Sequence, residues 1–164
     1  MNAKTTSFCP CQSGKHYDEC CHLLHSSQKI AETAEMLMRS RYAAFSLHLI
    51  DYIVKTTVPS QQHLLDQHAL LAWATNTQWI KLKICNTMLL DKIHSAVEFQ
   101  AFFIANEKEQ VHHEKSLFVK IKGQWFFADP SVSLPAMKQP CICGSGKKFK
   151  HCCGEMLCTF YAEI

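Results

Sequence analysis

Between residues 28 and 49 apolar side chains recur at helical spacing. Ala31, Ala34, Met38, Phe45 and Leu49 form one stripe, and Ser26 or Ser27 stands ahead of it as an N-cap. Arg41 and Tyr42 fall on or beside that stripe, with Arg39 further away. A second short helix is predicted over 51–57, stopped by Pro59, and a third over 62–75 carries Leu64, Leu65, Leu71 and Trp73. After Trp79 the period shortens to two. Ile80, Leu82 and Ile84 alternate with Lys81 and Lys83, and Val97, Phe99, Ala101 and Phe103 alternate with Glu98, Gln100 and Phe102. Leu117, Val119 and Ile121 lead to a turn at Lys122-Gly123 and then QWFFAD. Helices first and an antiparallel sheet afterwards make an α+β domain. Pro130, Pro135 and Pro140 mark a linker beyond it.

A chain of 164 residues, 48% hydrophobic and 19% charged, has material for one such core plus small attachments. No run reaches the roughly 20 apolar residues of a membrane helix. The opening stretch, MNAKTTSFCPC, lacks the apolar segment of a secretory signal, so a cytoplasmic location is expected. Seventeen basic residues face 14 acidic ones. Only Arg39 and Arg41 carry the guanidinium fork that reads guanine, which argues against sequence-specific DNA binding.

The ten cysteines change the picture. Four open the chain (Cys9, Cys11, Cys20, Cys21), four lie near its other end (Cys141, Cys143, Cys152, Cys153), and only Cys85 and Cys158 stand apart. Cys85, on an alternating strand, reads as a small buried apolar residue. The clusters are copies of one motif. CPCQSGKHYDECCH and CICGSGKKFKHCCG share C-x-C-x-S-G-K-x-[YF]-x-x-C-C without a gap. Two close pairs of thiolates joined by a glycine-rich turn suit a tetrahedral metal, and zinc is expected, two ions per chain. Crossed disulfides are the alternative, and His22 offers a replacement nitrogen ligand in the first copy. A closed four-sulfur site has no open position for water and is structural.

These knuckles resemble the SEC-C motif, the zinc-binding tail of the bacterial preprotein translocase ATPase, where it docks the export chaperone and is associated with ribosome contact. The second copy has Ile142 where proline is common, and the first has Gln12 in place of the usual glycine. The stretch LMRSRYAAFSLHLIDYIVKTTVPS, with VEFQAFF, HHEKSLF and GQWFFAD, resembles the bacterial YchJ family. That resemblance implies a cone of the nuclear transport factor 2-like type between the knuckles. The organisation expected is a knuckle over 1–25, the cone over 26–134, and a second knuckle with its tail over 135–164.

Two functions compete. In the first, the protein is a zinc-binding adaptor whose knuckles dock a protein or ribosomal partner. Lys147, Lys148, Phe149 and Lys150 form the candidate docking surface, because 136–154 holds four lysines and no acid. In the second, the cone holds a small ligand or performs isomerase- or dehydratase-type chemistry. Its candidates are Arg41, Tyr42, Glu98, His112 and Glu114; His112, Glu114 and Ser116 share one strand face and His113 takes the other. Arg41 would draw a carboxylate from Glu98 or Glu114.

Overall fold

The computed structural model describes residues 7–161. The readings made on the first six residues and on 162–164 lie outside the described residues. Helix α1 (Cys21–His25) belongs to the first knuckle. Helices α2 (Ala34–Ser46), α3 (Ile50–Lys55) and α4 (Gln67–Asn76) then precede four strands, β1 (Gln78–Leu89), β2 (His94–Ala105), β3 (Lys108–Ile121) and β4 (Gln124–Phe127). Helix α5 (Cys153–Tyr161) follows the second knuckle. The strands form one antiparallel meander in the order β1-β2-β3-β4. The α+β expectation holds.

The first long helix starts later than its stripe suggested. Thr33 is the N-cap, accepting from the Met36 amide at 3.1 Å, while Ser27 sits in a left-handed turn at φ 62°. The third predicted helix is divided. A 3-10 turn, Pro59–Leu64, is followed by α4, whose N-cap Asp66 accepts from the Ala69 amide at 3.0 Å. Only Ala74 of α4 is fully buried, and Leu71 and Trp73 are exposed.

Strand alternation builds two cores on opposite sides of the sheet. Val97, Phe99, Ala101 and Phe118 face α2 and α3 and pack with Leu37, Met38, Tyr42 and Ile53. Leu117 and Val119 face the other way, into a cluster with Val58, Ala128, Phe149 and the four cysteines of the second knuckle. The C-terminal knuckle is therefore part of the core. The N-terminal knuckle is seated on α2, where its cysteines surround Ala43 and the Arg39 Nη1 donates to the Cys11 carbonyl at 2.8 Å.

Cys85 is exposed, contrary to its reading as a small buried apolar residue. Alternation from Leu82 and Ile84 puts Cys85 on the outer face with Lys81 and Lys83, and residue type alone had suggested burial. Cys158, on α5, is exposed as well.

Candidate metal centres and a cavity in the cone

The repeated sequence folds into the same hydrogen-bonded turn twice. Cys9 N–H donates to the Lys15 carbonyl at 2.8 Å and Cys141 N–H to the Lys147 carbonyl at 2.9 Å. The amides of Gln12 and Gly144 each reach back to the first cysteine carbonyl at 3.2 Å. Ser13 and Ser145 accept from the amides of Lys15 and Lys147 and lie against the sulfurs of Cys20 and Cys152.

In each copy the four sulfurs lie within 4.8 Å of one another. Cys11 and Cys20 are 3.6 Å apart, as are Cys143 and Cys152, close to the edge of about 3.8 Å that four sulfurs at 2.3 Å from one ion would have. All ten cysteines are free thiols, so the disulfide alternative falls away. Crowding governs their protonation. Neighbouring thiols donate onto Cys11 and Cys143 and drive those two well below the usual range. Cys9 and Cys141 are pushed up to about 11 by giving their hydrogen bonds to them. Cys21 and Cys153 are pushed up further for the same reason, with burial adding to it. Four thiolates share one small volume only when a cation shares it too. These clusters fit a metal ion.

His22 has no part in the first cluster, since its ring lies against Tyr17 at 5.3 Å. The imidazole that does meet sulfur is His94, which the sequence reading left without a role. Its Nε2 lies 3.2 Å from the Cys153 Sγ. Phe149, proposed for docking, is only 2% exposed and belongs to the core. Lys147 and Lys148 are exposed and Lys150 is half-buried.

Inside the cone a cavity of about 360 Å³ lies between α2, α4 and the inner sheet face. Arg41, Tyr42, His112 and Glu114 all line it. Glu98 does not. The alternation that turns Val97 and Phe99 inward turns Glu98 to the opposite face, where its carboxylate meets His113 at 2.8 Å. Arg41 is buried and its Nη1 donates to the Ile53 carbonyl at 2.9 Å and the Thr56 hydroxyl at 2.7 Å. Its guanidinium lies 4.4 Å from the centre of the Phe127 ring.

The polar wall is a short chain along β3. His112 Nε2 is 2.7 Å from one Glu114 oxygen, and the Ser116 hydroxyl donates to the other at 2.8 Å. The hydrogen bond to Glu114 raises the His112 pKa against the opposing effect of burial. The opposite end is aromatic, with Tyr42, Phe45, Trp73 and Trp79 meeting at centroid separations of 5.1 to 6.1 Å. The Trp79 indole N–H is buried without a hydrogen-bond partner among the described residues. Sequence reading missed Trp79, because a tryptophan at a strand start signals core as readily as a binding wall.

Comparison with known proteins agrees with this architecture. The family description "YchJ, middle NTF2-like domain" matches residues 33–130, and "SEC-C motif" matches 137–155. The chain is 61% identical to a UPF0225 protein of Haemophilus influenzae (strain PittEE) over 149 residues, 91% of this chain and 93% of that one. It is 55% identical to a UPF0225 protein of Actinobacillus succinogenes over 153 residues, 93% and 99% of the two chains. The crystal structure of a SEC-C motif containing protein from Psychrobacter arcticus is similar, with TM-score 0.87 and 44% identity over 94% of this chain and 99% of that chain. The solution structure of a SEC-C motif containing protein from Rhodopseudomonas palustris gives TM-score 0.70 and 40% identity over 74% and 94%.

Proposed function

The chain belongs to the YchJ family, and from that premise we propose that it is a zinc-stapled binder of a small aromatic acid, held in the cone cavity. The observation that carries this reading is the cavity itself. Trp79 and Phe45 line its aromatic end, and Arg41, Tyr42 and His112 line the same space. A pocket of this size takes a ligand of one or two fused rings. A flat apolar body would lie against Phe45 and Trp73, and a carboxylate or carbonyl oxygen would accept from the Tyr42 hydroxyl. The His112–Glu114 pair adds a proton donor and acceptor at the wall, so a bound carbonyl compound could undergo isomerase- or dehydratase-type proton transfer there.

Zinc is the ion that suits both clusters. It favours four thiolates in a tetrahedron and brings no redox chemistry of its own. Cys9, Cys11, Cys20 and Cys21 would hold one ion, and Cys141, Cys143, Cys152 and Cys153 the other. Elemental analysis of purified protein should return two zinc ions per chain, with one lost when Cys20 and Cys21, or Cys152 and Cys153, are changed to serine.

Saturation-transfer NMR with 2-naphthoate tests the cavity. Saturable binding is expected in the wild type. Ala101→Phe, which fills the floor, should abolish it, and Tyr42→Phe, which keeps the ring but removes the hydroxyl, should weaken it about tenfold. Equal binding by all three proteins, each checked for cooperative melting, overturns the reading.

Docking of an acidic protein or ribosomal partner is a second reading. It rests on the exposed Lys147 and Lys148, carried by a knuckle that is fixed to the sheet. Co-sedimentation with purified ribosomes should fall when both lysines are replaced by glutamate. Unchanged sedimentation removes this reading.

A further inference from the structure

His94 is 2% exposed and opens β2 on the face that carries the C-terminal knuckle. Its ring is fixed at both nitrogens. Nδ1 lies 2.9 and 3.1 Å from the two oxygens of Asp91, and Nε2 lies 3.2 Å from Cys153 Sγ and 3.9 Å from Cys152 Sγ. Asp91 is itself fixed, because its Oδ1 accepts from the amides of Ile93 and His94, each at 2.8 Å, in the turn between β1 and β2. A carboxylate, an imidazole and a sulfur therefore stand in line from the cone to the second cysteine cluster.

The first cluster has no counterpart. Among the described residues no histidine nitrogen is hydrogen-bonded to its sulfurs. His25, the imidazole next to α2, is taken up by the Tyr17 hydroxyl at 2.7 Å and the Ser40 carbonyl at 2.8 Å. Cys20 of that cluster is half-buried, whereas all four sulfur-bearing residues of the second cluster are buried.

We propose that His94 is a positioning residue of the C-terminal metal centre, an outer contact on the Cys153 sulfur that makes this ion the more firmly held of the two. The reading rests on the assignment of both clusters as centres for a thiophilic divalent cation. With the acceptor Asp91 on Nδ1 and a thiolate on Nε2, the ring donates to both when it carries an N–H on each nitrogen. That second hydrogen bond draws charge from a metal-bound thiolate and fixes its direction, and partners of this kind change metal affinity by about 10- to 100-fold. The ring is supplied by the cone, 59 positions away from Cys153 in the chain. Release of the C-terminal ion is therefore coupled to the turn between β1 and β2, and release of the N-terminal ion is not.

The experiment uses the full chain loaded with zinc, with release to a chromogenic chelator followed in time. Two phases are expected, one per ion, the slower lost in Cys152→Ser/Cys153→Ser. His94→Ala should accelerate the slow phase 10- to 100-fold and leave the fast phase unchanged. His94→Gln, whose amide N–H can still reach sulfur, should restore part of the difference. Cobalt(II) replacement gives the independent reading. Thiolate-to-cobalt absorbance equal to eight sulfurs, in wild type and in His94→Ala alike, places His94 outside the coordination sphere. Absorbance equal to seven sulfurs in the wild type would make His94 a ligand and overturn the positioning role. Equal acceleration of both phases, or none, overturns the proposal even where two ions are bound. Fewer than two ions per wild-type chain overturns the double-centre assignment instead.

Discussion

Gln12 and Gly144 occupy the same left-handed position in the two knuckles, at φ 65° and φ 75°. Glycine takes that backbone freely, whereas a side chain there costs about 1–2 kcal/mol. Gln12→Gly should therefore stabilise the metal-loaded protein by about 1 kcal/mol, and Gly144→Gln should destabilise it by a similar amount. Chemical denaturation of both variants checks the signs, and the opposite sign at either position removes the argument.

Gly154 is required for a different reason, close approach. A Cβ there would lie 2.6 Å from the Phe149 carbonyl oxygen and 2.8 Å from a ring carbon of that residue. Backbone cannot withdraw as a side-chain tip can, so Gly154→Ala should cost about 1–3 kcal/mol. The loss should appear as a lower melting temperature together with faster release of the C-terminal metal.

The His112–Glu114 pair makes stability depend on pH. The ring's folded pKa lies above 6.5, raised by the hydrogen bond to Glu114. Its contribution is complete below pH 6.5 and is lost as pH rises through the folded value. NMR titration of the ring should place its midpoint above 6.5, and Glu114→Gln should bring it down. A midpoint at or below 6.5 in the wild type contradicts the pairing.

Thiol accessibility separates the cysteines by role. Cys85 and Cys158 are exposed, and the other eight sit in the two clusters. Brief maleimide treatment of metal-loaded protein should label two thiols, and treatment after chelation under denaturing conditions all ten. Labelling of Cys152 or Cys153 in the loaded protein would refute the closed centre.

Arg41 holds the end of α3 through the Ile53 carbonyl and the Thr56 hydroxyl. Arg41→Ala removes a buried charge-assisted donor from both and should cost about 2–4 kcal/mol. A melting curve unchanged by the substitution would show that these contacts do not support the cone.

Much of the site was legible because its chemistry dictates residue type and spacing. Eight thiols in two equal patterns announce metal centres, and alternation along β3 puts His112, Glu114 and Ser116 on one wall. That rule also excludes Glu98, since Val97 and Phe99 claim the inner face on either side of it. It would equally have put Cys85 outside with Lys81 and Lys83, where residue type alone suggested burial. His94, Trp79 and the burial of Phe149 depend on segments far apart in the chain. The contact of His94 with Cys153 exists only after the knuckle has closed over the sheet. No local pattern encodes such a meeting.

The cysteines of the second knuckle cover Leu117 and Val119, and they come later in the chain than the strand they cover. A ribosome making this protein completes the sheet while its outer apolar face is still bare. That face stays bare until residues 141–153 have been synthesised and have closed around their ion. Cells starved of the ion would carry a finished cone with one sticky side, open to chaperones and proteases. The abundance of the protein would then follow metal supply without any change in the rate of its synthesis.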